Sequence, residues 1–219
     1  MYREMLLTVA AACTIGLAVA QNESTSHVPG FAYAEFLPLH SPLSSHANDV
    51  LAADISNDGT LDLLEILYSK DSVVWYSRVE NAFSKKAQKI DDQAEDVATL
   101  SAADLDQDGD LDLVSGAAGI YGHYKGNIYW YENKDGNQFV RHQITQKPIA
   151  GTTIVFAVDI DTDGDLDVMT ASPFEGKIRW YENRGSGRFA YTGKTINADR
   201  IIVRNLRIAD LDGDKDVDL

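Results

Sequence analysis

The sequence predicts an all-β chain built from a repeated unit of about 50 residues, and three observations carry that prediction. One acidic loop recurs four times at near-constant spacing. Short runs of β-branched, aromatic and alternating residues surround each copy. Turn-forming Gly, Asn and Asp separate those runs. Four short strands in a unit of this length describe one blade of a β-propeller, the architecture expected here.

The chain opens on a leader. Met1-Tyr-Arg-Glu precedes an apolar stretch from Met5 to Ala20, and Ala18-Val-Ala20 sets small residues before Gln21. This is the pattern of a secretory signal peptide over residues 1–20. An uncleaved anchor is the alternative, but sixteen residues containing Thr8 and Thr14 are short for a ~20-residue span. Cys13, the single cysteine, leaves with the leader, so the mature chain has no disulfide. Asn22-Glu-Ser24 fits a glycosylation acceptor. Residues 21–29 read as an N-terminal linker and 30–219 as the repeat region. The expected location is secreted, with no membrane span after cleavage. No basic patch or phosphate-cradling glycine loop is present, so no nucleic-acid partner is expected.

The four loops come next. They read Asp54-Ile-Ser-Asn-Asp-Gly-Thr-Leu-Asp62, Asp104-Leu-Asp-Gln-Asp-Gly-Asp-Leu-Asp112, Asp159-Ile-Asp-Thr-Asp-Gly-Asp-Leu-Asp167 and Asp210-Leu-Asp-Gly-Asp-Lys-Asp-Val-Asp218. Their starts at 54, 104, 159 and 210 give steps of 50, 55 and 51 residues. Oxygen-bearing side chains stand at positions 1, 3, 5 and 9, a spacing that wraps a hard cation, with the backbone carbonyl of position 7 as a further ligand. The candidate ligands are Asp54, Ser56, Asp58, Thr60 and Asp62; Asp104, Asp106, Asp108, Asp110 and Asp112; Asp159, Asp161, Asp163, Asp165 and Asp167; and Asp210, Asp212, Asp214, Asp216 and Asp218. Gly59, Gly109 and Gly164 occupy position 6, where a sharp turn at positive φ suits glycine. The fourth loop departs, with Gly213 at position 4 and Lys215 at position 6.

Charge supports a metal. Eighteen of the 25 aspartates lie inside the loops, and without those eighteen the net charge of −15 becomes +3. Carboxylates packed this closely repel, at about 4 kcal/mol for two unit charges ~4 Å apart at an effective dielectric of ~20. A bound cation relieves that cost. The all-oxygen donor set, with no Cys or His in any loop, argues against zinc and copper, and flexible many-carboxylate loops suit calcium better than magnesium. Three to four calcium ions are expected.

Strands flank the loops. Val50-Leu-Ala-Ala, Val97-Ala-Thr-Leu-Ser-Ala-Ala, Ile154-Val-Phe-Ala-Val and Leu206-Arg-Ile-Ala precede them. Leu61-Asp-Leu-Leu, Leu111-Asp-Leu-Val and Leu166-Asp-Val-Met follow. A third run is Val73-Val-Trp-Tyr76, Ile128-Tyr-Trp-Tyr131 and Ile178-Arg-Trp-Tyr181, and a fourth is expected to open at Phe83, Phe139 and Phe189. Trp75 and Trp180 lie 21 residues past the first Asp of their loops and Trp130 lies 26 past, because five extra residues fall around Tyr121-Gly-His-Tyr124.

These segments, above all ADLDQDGDLDLVSG and AVDIDTDGDLDVMTAS followed by IYWYENKDGNQF and IRWYENRGSGRF, resemble the FG-GAP/VCBS repeats of integrin-α-like propellers. The resemblance covers residues 30–219 and implies that each loop joins the first two strands of a blade and binds calcium through positions 1, 3, 5, 7 and 9. It also implies about 3.5 blades of a ring that is seven-bladed in similar proteins, so the chain is expected to be a fragment of a larger propeller. No literal Phe-Gly … Gly-Ala-Pro is present, only Gly116-Ala-Ala and Ala171-Ser-Pro173 in the matching place, so integrin-style ligand binding is not carried over.

Other side chains invite sharper readings. Trp75, Trp130 and Trp180 suit sugar stacking, but recurrence at one strand position favours packing between blades. Glu132 and Glu182 resemble paired catalytic acids, yet each follows Trp-Tyr before a turn and is expected to be a solvated turn residue. Glu65 falls at position 12 of the first loop, as in a helix-loop-helix calcium hand; Ser115 and Thr170 at that position in the next two loops disfavour the hand. His27, His40, His46, His123 and His142 follow no motif, and His123 among Tyr121, Tyr124 and Tyr129 is the mild candidate for ligand binding. The expected function is a secreted calcium-binding module for adhesion or for a protein or glycan ligand, with structural calcium and no catalytic residues. The alternatives are part of a propeller-type polysaccharide lyase or an accessory propeller of a secreted hydrolase.

Overall fold

The structure, a computed structural model, describes residues 17–20, 34–37, 47–67, 70–79, 82–118, 126–149, 151–191, 193–196, 206, 208–210 and 212. All described elements are strands. β1 (Leu17–Ala20) and β2 (Ala34–Leu37) pair antiparallel. The first four-stranded sheet then forms from β3 (Ala47–Ala53), β4 (Asp62–Leu67), β5 (Ser72–Tyr76) and β8 (Gln88–Asp91), with β6 (Arg78–Val79) and β7 (Ala82–Phe83) as a small hairpin before its outer strand. The second sheet is β9 (Val97–Ala103), β10 (Asp112–Ala117), β11 (Ile128–Lys134) and β12 (Gln138–Gln143). The third is β13 (Ile154–Val158), β14 (Asp167–Ser172), β15 (Lys177–Tyr181) and β16 (Lys194–Thr195). Each is an antiparallel meander in chain order, as a propeller-like blade requires. Three such blades are described, and they do not form a closed ring.

The sequence explains the order of strands within a blade. All six residues of β4, β10 and β14 are buried, which is the burial of a strand covered on both faces. Register repeats as well. Trp75, Trp130 and Trp180 face Leu64, Val114 and Met169, each two residues beyond position 9 of its loop. On a strand, neighbouring side chains point to opposite faces, so Trp and Tyr in one Trp-Tyr pair serve two different interfaces. Trp75 packs in one cluster with Leu64 and Ile66 of its own blade and with Val97, Leu113 and Tyr131 of the second. Trp130 shares the next cluster with Val114 and Ile128 and with Val155, Val168 and Tyr181 of the third. The core therefore lies between blades, and Trp75 and Trp130 each share a cluster with the tyrosine of the blade that follows.

Two expectations need correction. The outer strands of the first and third blades do not open at Phe83 and Phe189: Phe83 closes the short β6–β7 hairpin, Phe189 makes a lone bridge to Asn183, and β8 and β16 begin later. The second blade has no such detour, and Phe139 lies in β12. Glu132 is a residue of β11 rather than of a turn. Leu61–Leu67 is strand from Asp62 onwards, and Glu65 lies within it accepting a hydrogen bond from Tyr76 Oη (3.1 Å), in agreement with the calcium hand being disfavoured.

Candidate metal loops

Each loop fills the connection from the first to the second strand of its blade, β3 to β4, β9 to β10 and β13 to β14. The same internal bonds recur. The position-1 carboxylate accepts the N–H of position 6: Gly59 to Asp54 (2.8 Å), Gly109 to Asp104 (3.1 Å) and Gly164 to Asp159 (3.1 Å). The position-5 carboxylate accepts the N–H of position 7: Thr60 to Asp58 (2.8 Å), Asp110 to Asp108 (2.9 Å) and Asp165 to Asp163 (2.9 Å). Thr60 adds its hydroxyl to Asp58 at 2.6 Å, and these two donors hold the Asp58 carboxyl below its ordinary range. The three glycines have φ of 86°, 98° and 94°, the left-handed turn their position predicts. Position 4 is also left-handed, at Asn57 (56°), Gln107 (64°) and Thr162 (60°).

Position 9 is the floor of the loop. Asp62, Asp112 and Asp167 are each 0% exposed. Oδ2 accepts an N–H from inside the loop: Ser56 (3.1 Å), Leu105 (3.1 Å) and Ile160 (3.1 Å). Oδ1 accepts an N–H from just beyond the Trp-Tyr pair: Arg78 (3.0 Å), Asn133 (2.8 Å) and Asn183 (2.7 Å). The indoles of Trp130 and Trp180 lie beside Asp112 and Asp167, although their N–H groups do not reach hydrogen-bond geometry. Burial pushes the Asp112 carboxyl up to about 6, against the pull of the Asn133 and Leu105 N–H groups, and raises Asp167 in the same way. Asp106 is raised first by burial and then by the charge of Asp108, and Asp161 likewise by burial and Asp163.

Oxygens from Asp104, Asp106 and Asp108 lie within 4.8 Å of one another, as do oxygens from Asp159, Asp161 and Asp167. Asp104 Oδ1 and Asp159 Oδ1 are buried without any hydrogen-bond partner. A buried carboxylate oxygen left unpaired is costly, and a hard cation bound there removes the cost. The residues present therefore fit calcium: all donors are oxygen, clustered within one loop, with orphaned acceptors at position 1. Of the fourth loop, Asp210 and Asp212 are described and exposed, and Asp214, Asp216 and Asp218 lie outside the described residues. The ligand-binding candidates Tyr121, His123 and Tyr124 lie outside them too.

One set of residues around the loops escaped the sequence reading, and a second was misread. Asn133 and Asn183 are fully buried. Asn133 Nδ2 donates to Ile55 O (2.9 Å) in the preceding blade's loop and to Leu111 O (3.0 Å) in its own. Asn183 repeats this with Leu105 O (2.8 Å) and Leu166 O (3.0 Å). Each blade thus latches onto the loop before it. The signal was the Trp-Tyr-Glu-Asn recurrence; the first blade has Arg78 in the Asn place. Glu132 and Glu182 are the second set. Glu132 pairs with Lys134 and with His142 Nε2 (2.9 Å), while Glu182 pairs with Lys194 (2.8 Å) and Arg184 (3.4 Å). Each contributes to the raised carboxyl at position 3 of its own loop, Asp106 or Asp161. They are ion-paired neighbours of the metal loops.

Among the described residues no helix is long and apolar enough to cross a membrane. No curated protein and no solved structure matches the chain. A family model for the FG-GAP-like repeat matches residues 54–115 and 159–219, more than half of the chain, and both stretches begin at the first Asp of a loop.

Proposed function

The chain belongs to the FG-GAP-like repeat family, and from that premise we propose that it is a secreted, calcium-stabilised propeller module that binds an extracellular protein or glycan. The observation that carries the calcium reading is the pair of buried, unpartnered oxygens, Asp104 Oδ1 and Asp159 Oδ1, inside three-carboxylate clusters. Calcium is structural in this reading. Each loop draws its ligands from its own nine residues, so the ion fixes the β3–β4, β9–β10 and β13–β14 connections. Ligand recognition then belongs to connections at the other end of the blades, where the β10–β11 segment carries five extra residues.

Calorimetric titration of chelator-stripped protein tests the metal. At least three calcium sites are expected; fewer than two, or zinc displacing calcium, overturns the reading. A screen against glycans and matrix proteins with and without calcium tests the binding role. Calcium-dependent capture is expected, and reproducible turnover of a polysaccharide by pure protein would replace the module with an enzyme.

A further inference from the structure

Two hydrogen bonds run between loops rather than within them, and they use the same pair of positions. Asn57 Nδ2, at position 4 of the first loop, donates to Asp110 Oδ1 at position 7 of the second (2.9 Å). Gln107 Nε2, at position 4 of the second, donates to Asp165 Oδ1 at position 7 of the third (2.9 Å) and to Gly164 O (2.9 Å). We propose that calcium binding by these loops is cooperative, and that Asn57 and Gln107 are the positioning residues that couple each loop to the next. The proposal rests on the calcium reading above.

The physical chain is short. Position 7 offers calcium its backbone carbonyl, which leaves its side chain available to a neighbour. Position 4 sits at positive φ, a conformation that a residue with a Cβ holds only when its surroundings enforce it. A cation that closes one loop fixes that conformation. The carboxamide is then held where it orders position 7 of the next loop, and with it that loop's carbonyl ligand. Coupling of this kind is reciprocal: filling the second loop strengthens binding in the first by the same factor. Thr162 carries a hydroxyl where Asn57 and Gln107 carry a carboxamide, so the relay covers loops one to three.

The test is calcium titration of the full chain, followed by calorimetry, in the wild type and in Asn57→Ala, Gln107→Ala and the double variant. Asn57 and Gln107 are exposed, so the variants are expected to fold, and far-ultraviolet dichroism at saturating calcium confirms it. The wild type should titrate more steeply than independent sites. Each single variant should keep the number of sites while weakening binding in the loops it uncouples by about three- to tenfold, the worth of one hydrogen bond. The double variant should titrate as independent sites. Gln107→Glu, which sets a carboxylate against Asp165, should weaken the coupling further than Gln107→Ala. Equal steepness in wild type and double variant, with all sites filled, overturns the coupling and leaves the calcium reading standing; a wild type that takes up no calcium overturns both.

Discussion

Glu65 shows how one position changes character between otherwise equivalent blades. It sits at position 12 counted from Asp54, where the second and third blades have Ser115 and Thr170, and all three are buried. Ser115 and Glu65 meet the hydroxyl of the tyrosine in the Trp-Tyr pair, Tyr131 at 3.4 Å and Tyr76 at 3.1 Å. A hydroxyl tolerates that place without charge. The carboxyl of Glu65 is raised by burial, with the Tyr76 hydroxyl pulling the other way. The folded chain thus holds this proton more readily than the unfolded chain, and stability falls as pH climbs through the ordinary carboxylate range towards the raised value. Glu65→Gln keeps the size and an acceptor for Tyr76 while removing the charge. Its melting temperature should exceed that of the wild type at pH 7, and the difference should vanish near pH ~4, where both states are largely protonated. Paired thermal scans across that range decide it. A variant less stable than wild type at neutral pH would show that the charged form is the stabilising one.

At the level of elements, a buried amide ties each later blade to the loop before it. Asn133→Ala leaves Ile55 O and Leu111 O without their donor, and should cost about 1–3 kcal/mol. Denaturant unfolding at saturating calcium measures it, and a loss under ~0.5 kcal/mol would show that these amide bonds do not hold the joint. The recurrence of Asn133 and Asn183 was plain in the sequence, but its purpose was not, because both acceptors are backbone carbonyls, which leave no trace in residue identity. Asn57 and Gln107 were hidden differently, because their carboxylate partners lie in the next loop, 53 and 58 residues along the chain. What could be read directly was whatever depends on side-chain type at fixed spacing. The carboxylates of the loops, the glycine at position 6 and the Trp-Tyr strands all belong to that class, and Trp75 and Trp130 pack between blades as their recurrence predicts. Outer strands were harder to place. Phe83 and Phe189 resemble Phe139 in sequence, yet the short hairpin at Arg78–Phe83 and the bridge at Asn183–Phe189 intervene before pairing begins.

For the molecule as a whole, the proposed metal would supply the stapling that a chain with one cysteine cannot take from disulfides. At ~1 mM calcium and a dissociation constant of ~0.1 mM, each filled loop adds about 1.4 kcal/mol. Three to four loops then supply about 4–6 kcal/mol, comparable to the ~5–15 kcal/mol net stability of a domain. Chelation should lower the melting temperature by about 10–20 °C for a chain of this size; superimposable melting curves with and without chelator would show that the loops do not hold the fold. The amide latch has one more consequence. Asn133 reaches back 78 residues to Ile55, and Asn183 reaches back 78 to Leu105. The donor is always the later residue. A chain leaving the ribosome therefore presents each receiving carbonyl well before the amide that will engage it. Each latch can close only after its later blade has been made, in order from the first blade towards the last.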